Sequence, residues 1–178
     1  MPDAVFPDNT VLCNFAAVHC LDLLEGWLRG RGRWTEAVAD EARRSAVHLP
    51  DIQLLLDRGW LGQGIAIQDP RAVARVEHLR RDVFGGTGAR PLQHLGEAQT
   101  CHLLREVPAW SDSWWVSDDR DSLDYARFVG ITTRETIDLV REVIADGDLT
   151  AVAGYALMKE MVVADRSLRM PASARDLH

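Results

Sequence analysis

The chain has 178 residues, 47% hydrophobic and 26% charged, with a formal net charge of −7. It is long and apolar enough for one domain with its own core, and too apolar for disorder. It is too acidic to coat nucleic acid non-specifically, so any nucleic acid must be met locally or through cations.

Ala4 to Phe6 reads as a short strand that stops at Pro7, and Thr10–Val18 and Cys20–Leu28 read as helices. The glycine-broken basic stretch RGRGRW, Arg29 to Trp34, reads as a link. Thr35 is a good N-cap for a helix running to about Ala46. Pro50 opens a helix from Asp51 to Arg58, and Gly59 closes it. Trp60–Ile67 reads as a strand, followed by a helix from Pro70 to about Val83 and a loop over Gly85–Pro91. Leu92–Val107 is the next predicted helix and Ser113–Ser117 a buried strand. A short helix (Ser122–Val129), a short strand (Gly130–Thr133) and helices over Arg134–Ala145 and Asp148–Val163 complete the pattern. Residues 1–164 are expected to form one domain, and 165–178 a polar, flexible tail. Strands separated by helices predict an α/β fold, a mostly parallel sheet of four to five strands in three α/β/α layers.

No apolar run approaches the roughly 18 residues of a membrane span, and Asp3 and Asp8 stand where a signal peptide would be basic. A cytoplasmic protein without membrane contact is expected. Cys13, Cys20 and Cys101 form no CxxC, so neither a disulfide framework nor a zinc site is indicated. His19, His48, His78, His94 and His102 show no metal-ligand spacing and read as satisfied or exposed. GGTGARP lacks the Lys-Ser/Thr ending of a phosphate loop. Trp114 and Trp115, in one strand, read as core on alternate faces.

The informative residues are acids in apolar surroundings. Asp8 follows the first strand, inside VFPDNTVLCNF, and sits at the carboxyl end, where α/β folds bind ligands. In TEAVADEARRSA, helical spacing puts Ala37, Val38, Glu41, Ala42 and Ser45 on one face, and Glu36, Asp40, Arg43 and Arg44 on the other. Glu41 therefore interrupts an apolar stripe. LGEAQTCHLL puts Glu97 early in a helix. WWVSDDRDSLDYA places Asp118, Asp119 and Asp121 after an apolar strand. A helix dipole or an N-cap explains each acid alone, whereas a shared site explains them together. Clustered carboxylates repel one another and suit a hard divalent cation, which can activate water for phosphodiester cleavage.

The ordered segments VFPDNTVLCNFA, AVADEARRS, PLQHLGEAQTCHLL, WWVSDDRDSLDYARFVGI and TRETIDLVREVIADGDLT resemble the PIN-domain ribonucleases, in particular a branch with a GEA signature. The resemblance covers roughly residues 4 to 163. It implies a twisted parallel sheet between helices and cleavage of RNA dependent on Mg²⁺ or Mn²⁺. By position it implies Asp8, Glu41, Glu97 and Asp118 as the catalytic acids, with Asp8, Glu97 and Asp118 as metal ligands. Asp119 and Asp121 are alternates or supports. Asn9 and Thr10 match the polar position that binds substrate or metal-bound water. Many small members are toxins, so a cognate antitoxin protein and a homodimer are the expected partners besides RNA. The alternative is a non-catalytic PIN-like module that binds a partner protein or regulates. Haloacid-dehalogenase and phosphoacceptor receiver readings both need a lysine that this chain, whose only lysine is Lys159, lacks at the right place.

Overall fold

The computed structural model describes residues 2–178. Three parallel strands lie side by side in the order β1 (Val5–Pro7), β2 (Trp114–Val116) and β3 (Thr132–Arg134). Phe6 stands opposite Trp115, and Trp115 opposite Thr133. Because successive side chains point to opposite faces, the strands divide their apolar residues between two clusters. Val5, Trp114 and Val116 join one, with α1 (Asn9–Ala17), α2 (Leu21–Leu28), α3 (Glu36–Ser45) and α4 (Pro50–Arg58). Ala4, Phe6 and Trp115 join the other, with α6 (Leu95–Glu106) and α7 (Arg120–Phe128). Both faces are therefore covered, which is why the paired segments are nearly continuous apolar runs. Trp114 and Trp115 do divide between the two faces; the Arg134 guanidinium lies over the Trp114 ring at 4.1 Å. The remaining helices are α5 (Pro70–His78), α8 (Thr136–Ala145) and α9 (Ala151–Val163).

The sheet is smaller than the four to five strands expected. Beyond β1, pairing reduces to single parallel bridges, Val5 with Gly32 and Thr35 with Ile65. Those stretches carry Gly30, Gly32, Gly62 and Gly64, and glycine weakens a strand interior by adding chain entropy without side-chain packing. Trp60–Ile67 is accordingly a turn and one bridge rather than a strand.

Most helix ends follow local chemistry. Thr35, Asp69, Asp119 and Thr150 each accept a backbone N–H as N-caps. Pro50 opens α4, and Gly59 closes it with φ 63°. The helix expected to Val83 becomes a π-type turn at Leu79–Val83. The helix expected from Leu92 starts only at Leu95, because His94 takes a left-handed conformation, φ 60°. The segment after Asp165, expected to fray, is packed instead. Leu177 is buried against α8 and α9, and Arg141 donates to the Asp176 carbonyl at 2.8 Å. Among the described residues no helix is long and apolar enough to cross a membrane.

The connections set where a site belongs. From β1 the chain runs first to one side, through Gly32 and Ile65, and later enters on the other side as β2. The direction changes between β1 and β2, and at such a point the carboxyl ends of the strands leave a crevice. Asp8 follows β1 there, and Ser117 and Asp118 follow β2.

Candidate active site

Asp8 is tied into the crevice from both sides. Its backbone N–H donates to the Val116 carbonyl at 2.8 Å, which fixes the end of β1 against β2. Its carboxylate caps α1: Oδ1 accepts the Asn9 N–H at 2.8 Å, and Oδ2 accepts the Thr10 and Ser117 hydroxyls at 2.8 and 3.2 Å. The residue is 5% exposed. Burial, and then the charge of Glu97, raise its pKa to about 6 in spite of these bonds.

Glu41 comes from α3, on the face the sequence assigns to it. Ala37, Val38 and Ala42 are buried there, while Glu36 and Asp40 are exposed and Asp40 pairs with Arg43. Burial, then Asp8, then Glu97 raise its pKa to about 8; Arg44 and the Gly96 N–H oppose this only in part. Glu97 lies in the first turn of α6, and its Oε1 is 3.0 Å from His94 Nδ1. The left-handed turn at His94 brings that imidazole over the helix start. The Gln99 Oε1 accepts the Ala37 N–H at 3.1 Å, pinning α6 to the start of α3. Asp8, Glu41 and Glu97 thus come from separate parts of the chain and act electrostatically on one another.

Asp118 is placed differently. Its Oδ1 accepts the Thr136 N–H at 3.0 Å, and its Oδ2 accepts the Thr136 hydroxyl at 2.5 Å and the Asn14 amide at 2.8 Å. Burial raises its pKa, the Thr136 bonds hold it back, and the acid that acts on it is Glu135. It borders a cleft of about 410 Å³ together with Thr10, Arg120 and Arg169, so Thr10 joins that cleft to Asp8. Asp119 spends its oxygens as the N-cap of α7, on the Asp121 N–H at 3.1 Å and the Ser122 hydroxyl at 2.9 Å. Asp121 is exposed in the first turn of that helix. Asn9 donates to Ser45 Oγ at 3.1 Å, so its side chain faces the end of α3.

As placed, no three His, Cys, Asp or Glu side chains among the described residues close around a single ion. Mg²⁺ does not require that, since it keeps several waters and commonly takes one or two carboxylates. The donor chemistry of Asp8, Glu41 and Glu97 suits such an ion: hard oxygens, buried at Asp8 and half-buried at the two glutamates, and mutually repelling.

Sequence reasoning missed the supports. Ser117, Thr136, His94 and Gly96 were not singled out, and neither was Asn14. The signal for Asn14 was present, since it is a polar residue inside the apolar run VLCNFA and proves to be buried.

Fold and site together define an α/β protein with a carboxylate trio at the switch point of its parallel sheet. No protein family, curated protein or solved structure matches the chain.

Proposed function

We propose that this chain is a PIN-like endoribonuclease that uses Mg²⁺ or Mn²⁺, with helices layered on both faces of the sheet, and that it acts as the toxin of a toxin–antitoxin pair. The observation that carries the reading is that Asp8, Glu41 and Glu97 lie near enough beyond the strand ends for their charges to act on one another, with two carboxyls raised to about 6 and about 8. Such pairs of perturbed acids are typical of functional sites. A bound divalent cation supplies charge neutralisation for a phosphodiester and an acidified water. The chain's own part is to hold the carboxylates. Ser117 and Thr10 orient Asp8, His94 orients Glu97, and Gly96 leaves room for Glu41. Thr10 and Arg120, on the neighbouring cleft, are positioned to meet an RNA phosphate. Asp118 braces the loop after β2 through Thr136 and Asn14, at the border of the cleft.

The test is cleavage of RNA with Mg²⁺ or Mn²⁺ and with EDTA. Asp8→Asn and Glu41→Gln should each reduce the rate by about two orders of magnitude or more, and Glu36→Gln on the exposed face should not. Equal losses at Glu36 and Glu41, or cleavage that survives EDTA, would overturn the reading. A second reading, a non-catalytic module, is favoured by the absence of three converging ligands among the described residues. In that case the trio receives an arginine of a partner protein, which can fork onto carboxylates. A folded wild type that takes up no Mn²⁺ and cleaves no RNA would select it.

A further inference from the structure

His102 is neither exposed nor satisfied, contrary to the expectation from sequence. It is 3% exposed, and its Nδ1 is buried without a hydrogen-bond partner. Leaving such a nitrogen unpaired costs about 1–3 kcal/mol, so an orphan of this kind asks for an occupant. The imidazole borders a cavity of about 190 Å³ whose other polar walls are Arg75 and His78 of α5, Arg105 and Glu106 of α6, and Tyr125 of α7.

The charges around the cavity are unbalanced. The Arg75 side chain is exposed and makes no hydrogen bond or ion pair among the described residues. Arg105 has Glu106 at 3.4 Å and the Tyr125 hydroxyl at 3.5 Å. His78 is occupied by Asp82 at 2.5 Å. Burial, and then Arg75, push the His102 pKa down, with Glu106 and Asp69 opposing, which favours the uncharged ring. The wall therefore offers two guanidinium forks, that of Arg105 shared with Glu106, together with a phenol and the His102 ring to one small volume.

Size narrows the occupant. Drug-sized ligands take about 300–1,000 Å³, so this cavity holds a chemical group and not a whole cofactor. At about 30 Å³ per water it also has room for roughly six waters, which could hydrogen-bond the arginines but would bring no charge to balance theirs. A tetrahedral phosphate can meet both guanidiniums and still accept from the Tyr125 hydroxyl, with the His102 ring against it. We propose that the Arg75–His102–Arg105–Tyr125 cavity is a phosphate-binding site. It is separate from the carboxylate trio, because Glu97 and Arg105 lie eight positions apart on α6, about 12 Å along its axis.

The experiment titrates the whole chain with inorganic phosphate, adenosine 5′-monophosphate or adenosine, and follows the His102 imidazole signals by NMR and the melting temperature. Phosphate should move the His102 signals saturably and raise the melting temperature; adenosine should do neither. Tighter binding of the monophosphate than of phosphate identifies a nucleotide or RNA end as the source, and equal binding identifies the free ion. Arg75→Gln, at an exposed position, should weaken phosphate at least tenfold while leaving the fold intact by circular dichroism. If the wild-type signals do not saturate, or respond equally in Arg75→Gln and Arg105→Gln, the cavity holds water alone and the proposal fails.

Discussion

Gly96 and Glu41 touch: a Cβ built on Gly96 would lie 3.1 and 3.4 Å from the two carboxylate oxygens of Glu41, and 3.0 Å from Val38 Cγ2. Within the GEA stretch, glycine is there because α3 passes so close that a methyl group would push the acid aside. Gly96→Ala gains helix propensity of about 1 kcal/mol and loses it again in crowding, so the melting temperature should change little. The carboxylate should be displaced by a few tenths of an ångström or more. RNA cleavage, where geometry is exacting, should fall about tenfold or more. A variant with full activity would mean that Glu41 has no role at the reacting centre.

The raised carboxyls set a pH dependence for the metal-free protein. Asp8 moves from 3.8 to about 6, and Glu41 from 4.5 to about 8. The folded state therefore holds more protons than the unfolded one between those values. The stabilisation is complete below the ordinary values, and is lost as pH rises through about 6 for Asp8 and about 8 for Glu41. Asp8→Asn should raise the melting temperature above pH 6, and Glu41→Gln should do so above pH 8. Neither should help near pH 4. Melting curves across that range check both; a gain independent of pH would point to packing and not to charge.

The same charges govern metal uptake. A cation must displace the protons, so Mn²⁺ affinity should rise steeply from pH 6 to pH 8, with proton release on binding. Calorimetry in two buffers of different ionisation enthalpy measures the release. At a hundredfold excess over Kd the wild type should gain about 2.7 kcal/mol of stability, and Asp8→Asn should lose most of that gain. No proton release, with no shift in melting, would remove the metal from the reading.

Asp118 should separate from the trio in mutagenesis. It accepts from Thr136 twice and from Asn14. Asp118→Ala leaves those donors unpaired, and should destabilise the fold by about 1–3 kcal/mol. The trio variants should instead be neutral or stabilising without metal. Denaturant titrations of the set distinguish the two kinds of acid, and equal destabilisation by all four would place Asp118 in one cluster with the others.

Arg80 is expected to govern the approach to Glu97. It is fully buried, forms a two-pronged pair with Glu77, and donates to the carbonyls of Thr87, Arg90 and Gln93. Gly86 is needed beside it, since a Cβ there would stand 2.5 Å from the guanidinium. Arg80→Met should leave the sheet intact, speed amide exchange over residues 85–94 and lower activity through His94. Unchanged exchange in that loop would show that Arg80 does not hold it.

Much of this was legible in the sequence where one local rule dominated. The Pro50 and Gly59 stops, the Thr35 cap and the two faces of α3 each depend on a few neighbouring residues. So does the position of Asp8 after its strand. What failed depended on distant partners. The strand at Trp60–Ile67 needed an extended neighbour, and only Thr35 pairs with it, at Ile65, before α3 begins. The helix start at Leu92 was lost to the left-handed turn at His94, which packs against Glu97. Asp118 looked equivalent to Asp8 because both follow strands; only the approach of Thr136, 18 positions on, with Glu135 beside it, shows that its partners and its acidic neighbour are different ones. The tail looked polar and free because its anchors, Leu168, Met170 and Leu177, are scattered single residues.

The central position of β2 also bears on how the protein reaches its fold. The strand that pairs with both others is the second to appear in the chain, more than a hundred residues after β1. Until Trp114–Val116 arrive, β1 has an open edge beside Phe6, and neither the Asp8 N–H nor its carboxylate has its β2 partner. Parallel pairing across so long a loop is slow, because closure entropy is lost before contacts compensate. Refolding should accordingly show an early compact species built from α1 to α4 and a slower step in which β2 inserts. A change such as Trp115→Leu should slow that second step, and the last event of folding would then be the one that assembles the acids.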